Sequence, residues 1–415
     1  MTAKIDMDFE VSLWVAQTRQ RPGLVRHSLS RIIENHYLCI AHSVLCSIRR
    51  LKENKKNVRR QPSAMRPKRV VLARTAPDLR KRQGNVMTTI ISKFRRAALA
   101  AGIALSALSV SLHAEAGSLK LGMTTWVGYG PLFLARDMGY FKEGGLDVSL
   151  EVIEEASMYM AAVAAGELDG SASTIDEIMK YRSKDVCFKS VYALDDSHGG
   201  DGVLAPSGIK SVADLKGMEV GLNEGSVSQF WFNILLKQAG LTQADVKVTN
   251  MTADDAAAAF MADRIPVAVT WEPHLTLAKK ENKGQVLIDS SKTPGLIVDV
   301  VALNCDYITK NPGDVEALVK GLYKANEFIK ENPAKAYEVM AKGVGGWLKD
   351  PKDFASSAAG VNFYGKERNA QFFAGGESGE AGKLIKLGGD VWGGFGKLKM
   401  DIKYDDLVDP SFLTK

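Results

Sequence analysis

The sequence predicts an α/β protein built from two similar domains, and two observations carry that prediction. The first is the stretch 119–150, in which an apolar strand, a glycine-rich turn, a short helix and a second strand follow one another. This order is a βαβ unit, the seed of a parallel sheet. The second is that strands and helices alternate again after residue 202, beyond a break rich in glycine and aspartate.

The βαβ unit places two aromatic side chains where ligands bind in open parallel sheets. Its turn contains Gly128, and Pro131 takes the first helical position, where a missing N–H costs nothing. Trp126 and Tyr129 follow the first strand, and ligands of such sheets lie beyond the carboxyl ends of the strands. We expect them to form a wall of a small-molecule pocket. The alternative is that both rings cap the core.

The first 86 residues are not expected to belong to the fold. They hold 19 Lys and Arg against 6 Asp and Glu, with scattered hydrophobic residues and no sustained period. Alone, this composition would fit an arm that binds nucleic acid or an anionic membrane. The sequence after it favours another interpretation, in which Met87 is the true start and residues 1–86 are an upstream leader.

Residues 87–116 have the three parts of a secretory signal peptide. A basic segment with Lys93, Arg95 and Arg96 precedes an uncharged stretch of 16 residues, 97–112, and the small-residue site Ala114-Glu115-Ala116 follows. The uncharged stretch is shorter than the ~20 residues that a spanning helix needs. We therefore expect export to the periplasm and a mature chain that begins at Gly117.

The charge balance reverses once these segments are set aside. Residues 117–415 carry 32 basic and 41 acidic residues, so the formal charge of +6 comes from the N-terminal part. A nucleic-acid-binding role for the folded part therefore has no basis. Cys187 and Cys305 remain in it. In an exported protein they could pair, but two lone cysteines are more often small buried hydrophobic residues, which is the interpretation that we favour.

The breaks in the pattern predict the domain limits. Three glycines and three acids in Asp195–Gly202 exclude the interior of an element and indicate a crossing between domains. A second Gly/Pro break near 289–295 precedes a strand that we expect to return to the first domain, and the largely helical tail should lie on that domain. Two crossings suit a hinge that closes on a ligand. The predicted division is leader 1–86, signal peptide 87–116, lobe 1 at 117–198 and 292–415, and lobe 2 at 199–291.

Two helix starts carry hydroxyl groups. Ser173 or Thr174 opens one helix, and Ser226 and Ser228 stand at the start of another, within GLNEGSVSQ. Free N–H groups and hydroxyls at such a start bind an anion without a counter-charge. The alternative, that these residues are simple helix caps, is compatible with that use.

The sequence has no catalytic or metal-binding signature. It lacks GxSxG, the P-loop, HExxH and any Cys/His cluster with metal spacing, so neither a cofactor nor a metal is expected. Only His198 and His274 remain after residue 116, and both are interpreted as surface or turn residues.

Several segments resemble one bacterial family. GYFKEGGLDV and DLKGMEVGLNEGS are the most specific, and GELDGSASTIDEIM and VTWEPHL extend the similarity over nearly all of 117–415. They resemble the nitrate/sulfonate/taurine-type solute-binding proteins of ABC importers. The resemblance implies a type II periplasmic binding protein fold, with a ligand cleft between two α/β lobes, and a monomer that presents its solute to an inner-membrane permease.

The resemblance also implies the residues of the pocket. Carried onto this sequence, the ligand-binding set is Trp126, Gly128, Tyr129, Ser173, Thr174, Asp201, Ser226, Ser228, Gln229, Trp271 and Glu272.

The solute is expected to be taurine or another aliphatic sulfonate. Asp201 and Glu272 in the expected pocket, with Asp195, Asp196 and Asp299 near the crossings, would repel a simple anion and favour a positive group. Together with the hydroxyl-bearing helix starts, they describe a site for a zwitterion. The alternative is that these acids are caps and turn formers of the hinge.

Two other functions share the fold. Relatives bind thiamine pyrimidine precursors, and one similar enzyme makes that pyrimidine using a cysteine-rich run and a histidine. This sequence has no such run, so a non-enzymatic function is expected.

Overall fold

The structure is a computed structural model, and it describes residues 116–414. The predicted leader and all but the last residue of the predicted signal peptide lie outside the described residues. In the part described, no helix combines the length and the apolar composition needed to cross a membrane.

The described chain alternates strands and helices over most of its length. The strands are β1 (Gly117–Met123), β2 (Leu146–Val152), β3 (Gly170–Thr174), β4 (Phe188–Ser197), β5 (Asp201–Ala205), β6 (Glu219–Leu222), β7 (Lys247–Asn250), β8 (Val267–Trp271), β9 (Gln285–Asp289), β10 (Val298–Asn304) and β11 (Val361–Phe363). The α-helices are α1 (Gly130–Asp137), α2 (Tyr140–Glu143), α3 (Ala156–Ala165), α4 (Ile175–Met179), α5 (Val227–Gln238), α6 (Ala253–Met261), α7 (His274–Lys280), α8 (Cys305–Lys310), α9 (Pro312–Glu331), α10 (Pro333–Val344), α11 (Pro351–Ala358), α12 (Lys366–Phe373), α13 (Glu380–Gly394) and α14 (Tyr404–Leu407).

The strands form two sheets, one in each of two lobes. The six-stranded sheet has the order β11-β4-β10-β3-β1-β2, and we call the part of the chain that carries it lobe 1. The five-stranded sheet has the order β7-β6-β8-β5-β9, and its part is lobe 2. The chain passes between the sheets twice, from β4 to β5 and from β9 to β10. This is the two-lobed periplasmic binding protein fold that the resemblance implied.

The βαβ unit at the start of the fold is confirmed. β1 and β2 pair in parallel over their whole length, and α1 connects them with Pro131 in its first turn. A 3-10 turn, Val127–Tyr129, stands between β1 and α1, so the two aromatic residues flank the carboxyl end of β1.

The prediction that Asp195–Gly202 lies outside any element is wrong. Asp195 and Asp196 are inside β4, and Asp201 begins β5, so the crossing contains only residues 198–200. Asp195 lies opposite Asp299 of β10 and Phe363 of β11 in the two antiparallel ladders. Neighbouring strands satisfy the backbone on both sides, and this tertiary pairing outweighs the low strand propensity of aspartate.

The favoured interpretation of the two cysteines is also wrong. Cys187 and Cys305 form a disulfide, with their Cα atoms 5.4 Å apart and 118 residues between them in sequence. Cys187 precedes β4 and Cys305 follows β10, and these strands are neighbours in the sheet. Both residues are half-buried, not core residues.

Side-chain hydroxyls join the two crossings. Ser197, the last residue of β4, and Ser290, just after β9, are fully buried, and their hydroxyl oxygens lie 2.7 Å apart. The Ser290 hydroxyl also accepts a hydrogen bond from the backbone N–H of Gly199. The two connections are therefore fastened to each other at the base of the cleft, where a hinge would have to bend.

The C-terminal tail packs mainly on lobe 1, as expected, but also reaches lobe 2. α13 contacts α4 of lobe 1 and α5 of lobe 2. The rings of Trp392 in α13 and Phe230 in α5 are stacked, with centroids 6.2 Å apart. The tail therefore forms part of the boundary between the lobes.

Candidate functional site

A cavity lies between the two lobes at the edge where the parallel strands end. It contains about 480 Å³ of atom-free space, its open mouth included. Its lining comprises Thr124, Trp126, Tyr129, Glu154, Ala156, Thr174, Glu177, Asp201, Asn223, Ser226, Val227, Trp271, Ile297 and Asp299. A cavity with aromatic walls and a few convergent polar groups is the candidate binding site.

Strand direction explains how acids near the crossings reach this edge. β5 runs antiparallel to β8, and β10 runs antiparallel to β3. The beginnings of β5 and β10 therefore lie beside the ends of their neighbours. Asp201 is the first residue of β5 and Asp299 the second of β10, so both carboxyls lie at the edge that also carries Trp271 and Thr174.

Aromatic rings from both lobes line the cavity. Trp126 and Tyr129 belong to lobe 1, and Trp271, half-buried at the end of β8, belongs to lobe 2. The Trp126 indole N–H donates to Asp195 at 3.3 Å, and the Tyr129 hydroxyl donates to Asp299 at 2.6 Å. Two buried carboxyls thus orient the two rings of lobe 1.

Glu177 lies in the cavity with a free acceptor atom. It is in the first turn of α4 and only 4% exposed, and one carboxylate oxygen accepts from Ser173 at 2.5 Å and from the Tyr159 hydroxyl at 3.1 Å. Its other oxygen, Oε1, is buried and has no hydrogen-bond partner among the described residues. A buried acceptor left without a donor is costly, so this atom is available to a ligand.

Burial raises the pKa of three aspartates at the cavity or behind its wall. It raises the pKa of Asp299 to about 8, although the Tyr129 hydrogen bond acts in the opposite direction. Burial raises the pKa of Asp201 to about 7, against a hydrogen bond from Ser197. The pKa of Asp195 is raised well above its usual value by burial and by the neighbouring Asp299. A positive charge in the cavity would favour the ionised form of each group.

The described lining residues include four acids but no Lys or Arg. Lys180, just after α4, lies over the ring of Trp392 with its Nζ 4.6 Å from the centroid, and burial lowers its pKa, against the effect of Glu177. Residues 116–414 also contain no group of three His, Cys, Asp or Glu arranged to hold a metal ion. The lining is therefore rich in acids and has no cation of its own to offset those that ionise.

The helix start in lobe 2 is capped by its own side chains. Ser226 accepts from the backbone N–H of Ser228 at 3.1 Å and donates its hydroxyl proton to the carbonyl of Asn223 at 2.9 Å. Ser226 lines the cavity, but its hydroxyl proton is already used. The cap interpretation therefore describes this residue, and the anion-binding end expected here has fewer free donors than the sequence suggested.

Six of the eleven predicted pocket residues meet in the cavity. These are Trp126, Tyr129, Thr174, Asp201, Ser226 and Trp271. The other five, Gly128, Ser173, Ser228, Gln229 and Glu272, are outside the lining.

Three of those five support residues of the site. Ser173 bonds Glu177, and Gln229 accepts from the backbone N–H of Gly225. A Cβ on Gly128 would lie 2.2 Å from a carboxylate oxygen of Asp195, so only glycine leaves room for that carboxyl. Ser228 is buried beside them, with a hydroxyl that has no described partner.

Glu272 stabilises a helix start instead of facing the cavity. Its carboxylate accepts from the backbone N–H of Thr276 at 3.0 Å and from the Thr276 hydroxyl at 2.8 Å. Burial raises its pKa, against those hydrogen bonds. The expected contribution of this acid to an amine site is therefore not supported by its geometry.

The two histidines differ from each other. His198 is exposed at the first crossing, as expected of a turn residue. His274 is only 7% exposed, which corrects the prediction for it, and its Nε2 lies 2.7 Å from Asp254. Its ring contacts Trp347 edge-on at 6.0 Å. His274, the first residue of α7, therefore contacts residues of both lobes.

Polar contacts connect the two lobes. Asn223 of lobe 2 donates to Glu155 of lobe 1 at 3.3 Å. Lys280 of α7 and Asp353 of α11 form an ion pair at 3.0 Å on the outer side. Because both pairs are polar and at least partly accessible, they can exchange with water when the lobes separate.

Sequence reasoning missed the residues that complete the lining. These are Thr124, Glu154, Ala156, Glu177, Asn223, Val227, Ile297 and Asp299. Strand ends pointed to the regions around them, but Glu177 carries no signal beyond its place in a first helical turn, and Asp299 was expected only as an acid near a crossing. The reversed direction of β10 was the decisive unknown.

Two sheets, two crossings and an interlobe cavity define the class: this is a two-lobed solute-binding fold. The chain belongs to the NMT1/THI5 like family, whose description matches residues 126–336, half of the chain.

Known structures share this fold. The ligand-binding component of an ABC-type import system from Staphylococcus aureus, with zinc bound, aligns with a TM-score of 0.59 and 17% identity over 72% of this chain and 98% of that one. The periplasmic aliphatic sulphonate binding protein SsuA from Escherichia coli aligns with a TM-score of 0.58 and 18% identity over 72% and 99%.

One relative by sequence is an enzyme. The 4-amino-5-hydroxymethyl-2-methylpyrimidine phosphate synthase of Saccharomyces cerevisiae is 24% identical over 223 residues, which is 50% of this chain and 65% of the synthase.

Proposed function

We propose that this protein is the periplasmic receptor of an ABC importer and that its solute carries a protonated amino group. The observation that carries the proposal is that Glu177, a buried acid of the cavity lining, has one oxygen, Oε1, with no hydrogen-bond partner among the described residues. An ammonium group supplies the missing donor and a compensating charge at once.

The surroundings of that atom support the same solute. Asp201 and Asp299 line the same cavity and are almost fully buried, with no Lys or Arg in the described lining. Ionised together without a counter-charge, such groups would be strongly unfavourable. The faces of Trp126 and Trp271 add walls that attract a cation.

Taurine is the first candidate, since it combines an ammonium group with the sulfonate suggested by the family. The cavity supports the ammonium end more strongly than the sulfonate end, because the Ser226 hydroxyl proton is already donated to a backbone carbonyl. A sulfonate without an amine is therefore expected to bind poorly.

A thiamine pyrimidine precursor is the second candidate. Two tryptophans from opposite lobes could enclose a flat ring, and the yeast relative makes an aminopyrimidine phosphate. The described chain offers no catalytic signature, so we propose binding without chemistry for this solute as well.

A panel that separates the two charged groups tests the proposal. Thermal unfolding of residues 117–415 is followed with taurine, ethylammonium, ethanesulfonate and 4-amino-5-hydroxymethyl-2-methylpyrimidine, because a ligand of the native state raises Tm. We expect taurine and ethylammonium to raise Tm and ethanesulfonate to have no effect. Ethanesulfonate that stabilises as strongly as taurine would contradict amine recognition. Stabilisation by the pyrimidine alone would favour the second candidate.

A matched pair of variants locates the binding group. Glu177→Gln removes the charge of the free acceptor, and Glu167→Gln makes the same change at an exposed residue of lobe 1. The first should abolish the Tm shift and the second should retain it. Equal shifts in both variants would move the amine away from Glu177.

A further inference from the structure

Asp195 does not line the cavity, but it bonds Trp126, which does. It is fully buried in β4 and accepts from the Trp126 indole at 3.3 Å through one oxygen. Its second oxygen, Oδ2, is buried and has no hydrogen-bond partner among the described residues.

Asp195 and Asp299 form a pair of carboxyls in one ladder. The two residues lie directly opposite each other on the antiparallel strands β4 and β10, so their side chains share a face of the sheet. Both accept from aromatic residues of one turn, Trp126 and Tyr129, and both therefore point to the same side.

The groups around this pair are mostly acidic. Asp196 and Asp201 act on Asp195, and Asp201, Glu177 and Asp176 act on Asp299, all in the direction that disfavours ionisation. Tyr129 is protonated at neutral pH because burial raises its pKa well above the usual value.

The cations of the neighbouring elements act mainly on other groups. Lys180, just after α4, lies over Trp392 and acts on Glu177 and Asp176, and Arg368 of α12 bonds Tyr364 and Glu380. Two adjacent buried carboxyls without a cation cannot both ionise at neutral pH.

We propose that Asp195 is a specificity-determining residue behind the Trp126 wall: with the cleft empty the Asp195–Asp299 pair holds at least one proton, and it releases a proton when a cationic solute enters. The proton passes to bulk water through the cleft, and the positive charge of the solute takes its place. The inference rests on the proposed amine recognition. It adds that a cationic solute is favoured by a group that it never touches, because a neutral or anionic solute leaves the pair protonated and gains nothing from its charge.

Proton release fixes the direction in which affinity changes with pH. A proton given up on binding makes affinity rise with pH, by up to about tenfold per pH unit while the pair remains protonated. The pKa of Asp299, about 8, places this range around neutrality.

Calorimetric titration with ethylammonium and taurine tests the inference, at about pH 6 and about pH 8 in two buffers of different ionisation enthalpy. For the wild type we expect tighter binding at the higher pH and release of about one proton per solute. Affinity that does not change with pH, with no proton release, would overturn the inference and leave the receptor function standing. No binding of either probe at either pH would contradict amine recognition itself.

Asp195→Asn separates charge from structure, because an amide oxygen can still accept from the Trp126 indole. At about pH 6 we expect the variant to bind with the affinity of the wild type. At about pH 8 we expect it to lack the increase in affinity that the wild type shows. Asp185→Asn, at an exposed position before β4, should behave as wild type. A variant weakened equally at both pH values would show that Asp195 acts only through structure. The proton count of the wild type decides the question if the variant does not fold.

Discussion

The hydroxyl of Tyr129 donates a 2.6 Å hydrogen bond to the carboxyl of Asp299, 170 residues away in sequence. The bond joins the turn after the first strand to the strand by which the chain returns to lobe 1. Both residues line the cavity, so it also fixes the positions of an aromatic wall and an acid relative to each other.

Tyr129→Phe should weaken binding of taurine while the fold is kept. The variant removes the donor that favours the ionised form of Asp299, and a hydrogen bond to a charged group is worth about 1.5–3 kcal/mol, or roughly tenfold or more in affinity. Calorimetry measures the loss. Tyr181→Phe, outside the cavity lining, is the control, and equal affinities of the two variants would contradict this role of the bond.

Gly128→Ala should destabilise the protein and displace the Trp126 ring. The new Cβ would lie 2.2 Å from Asp195 Oδ2 and 2.3 Å from the indole nitrogen of Trp126, and overpacking of this kind costs about 1–3 kcal/mol. Urea unfolding measures the cost, and tryptophan fluorescence reports the ring. Gly208→Ala, which meets nothing within 4 Å, should be neutral. If the Gly128→Ala variant is as stable as Gly208→Ala, the turn accommodates the added methyl group without cost, which would contradict this prediction.

The sequence was sufficient for local structure and for the general position of the cleft. Strand β1, the turn at Gly128 and the helix from Gly130 follow from local periodicity and from Pro131. Trp126 and Trp271 were placed at strand ends, and both line the cavity.

Features that depend on strand order could not be predicted. Asp195 is a strand residue because β10 and β11 flank it. Cys187 and Cys305 pair because β4 and β10 are neighbours, a relationship that no local pattern contains. Glu272 shows another limit of inference from sequence. A carboxylate after a strand can accept hydrogen bonds from the next helix as readily as from a ligand.

The empty protein should lose stability as pH rises from about 5 to about 8. Unfolded aspartates release their protons near pH 3.9, whereas in the native state burial raises the pKa of Asp201 to about 7 and that of Asp299 to about 8. Between these values the native state binds more protons than the unfolded state, so the free energy of unfolding falls with pH. Urea midpoints across this range measure the slope.

Asp299→Asn provides the control for that slope, because it removes one of these titrations. Its stability should depend less on pH than that of the wild type. A wild type whose stability increases steadily from about pH 5 to about pH 8 would contradict the assignment of these carboxyls as protonated in the empty protein.

Loss of the disulfide should lower the stability of the protein and leave its affinity for the solute unchanged. The bond spans 118 residues of chain, and bridges over long loops contribute about 2–4 kcal/mol, largely through the unfolded state. Replacing Cys187 and Cys305 by serine should lower the urea midpoint and leave taurine affinity unchanged. Dithiothreitol should destabilise the wild type but not the double variant. No difference between the two proteins in oxidising buffer would contradict a contribution from the bridge.

The most direct test of the central claim, that buried carboxyls of the interlobe cavity recognise a positive group, is a calorimetric comparison of taurine with isethionate. The two solutes share the sulfonate and the carbon chain and differ only in an ammonium or a hydroxyl group. Cation recognition predicts that taurine binds at least about tenfold more tightly, the worth of one charge-assisted hydrogen bond. Equal affinities, or tighter binding of isethionate, would contradict it.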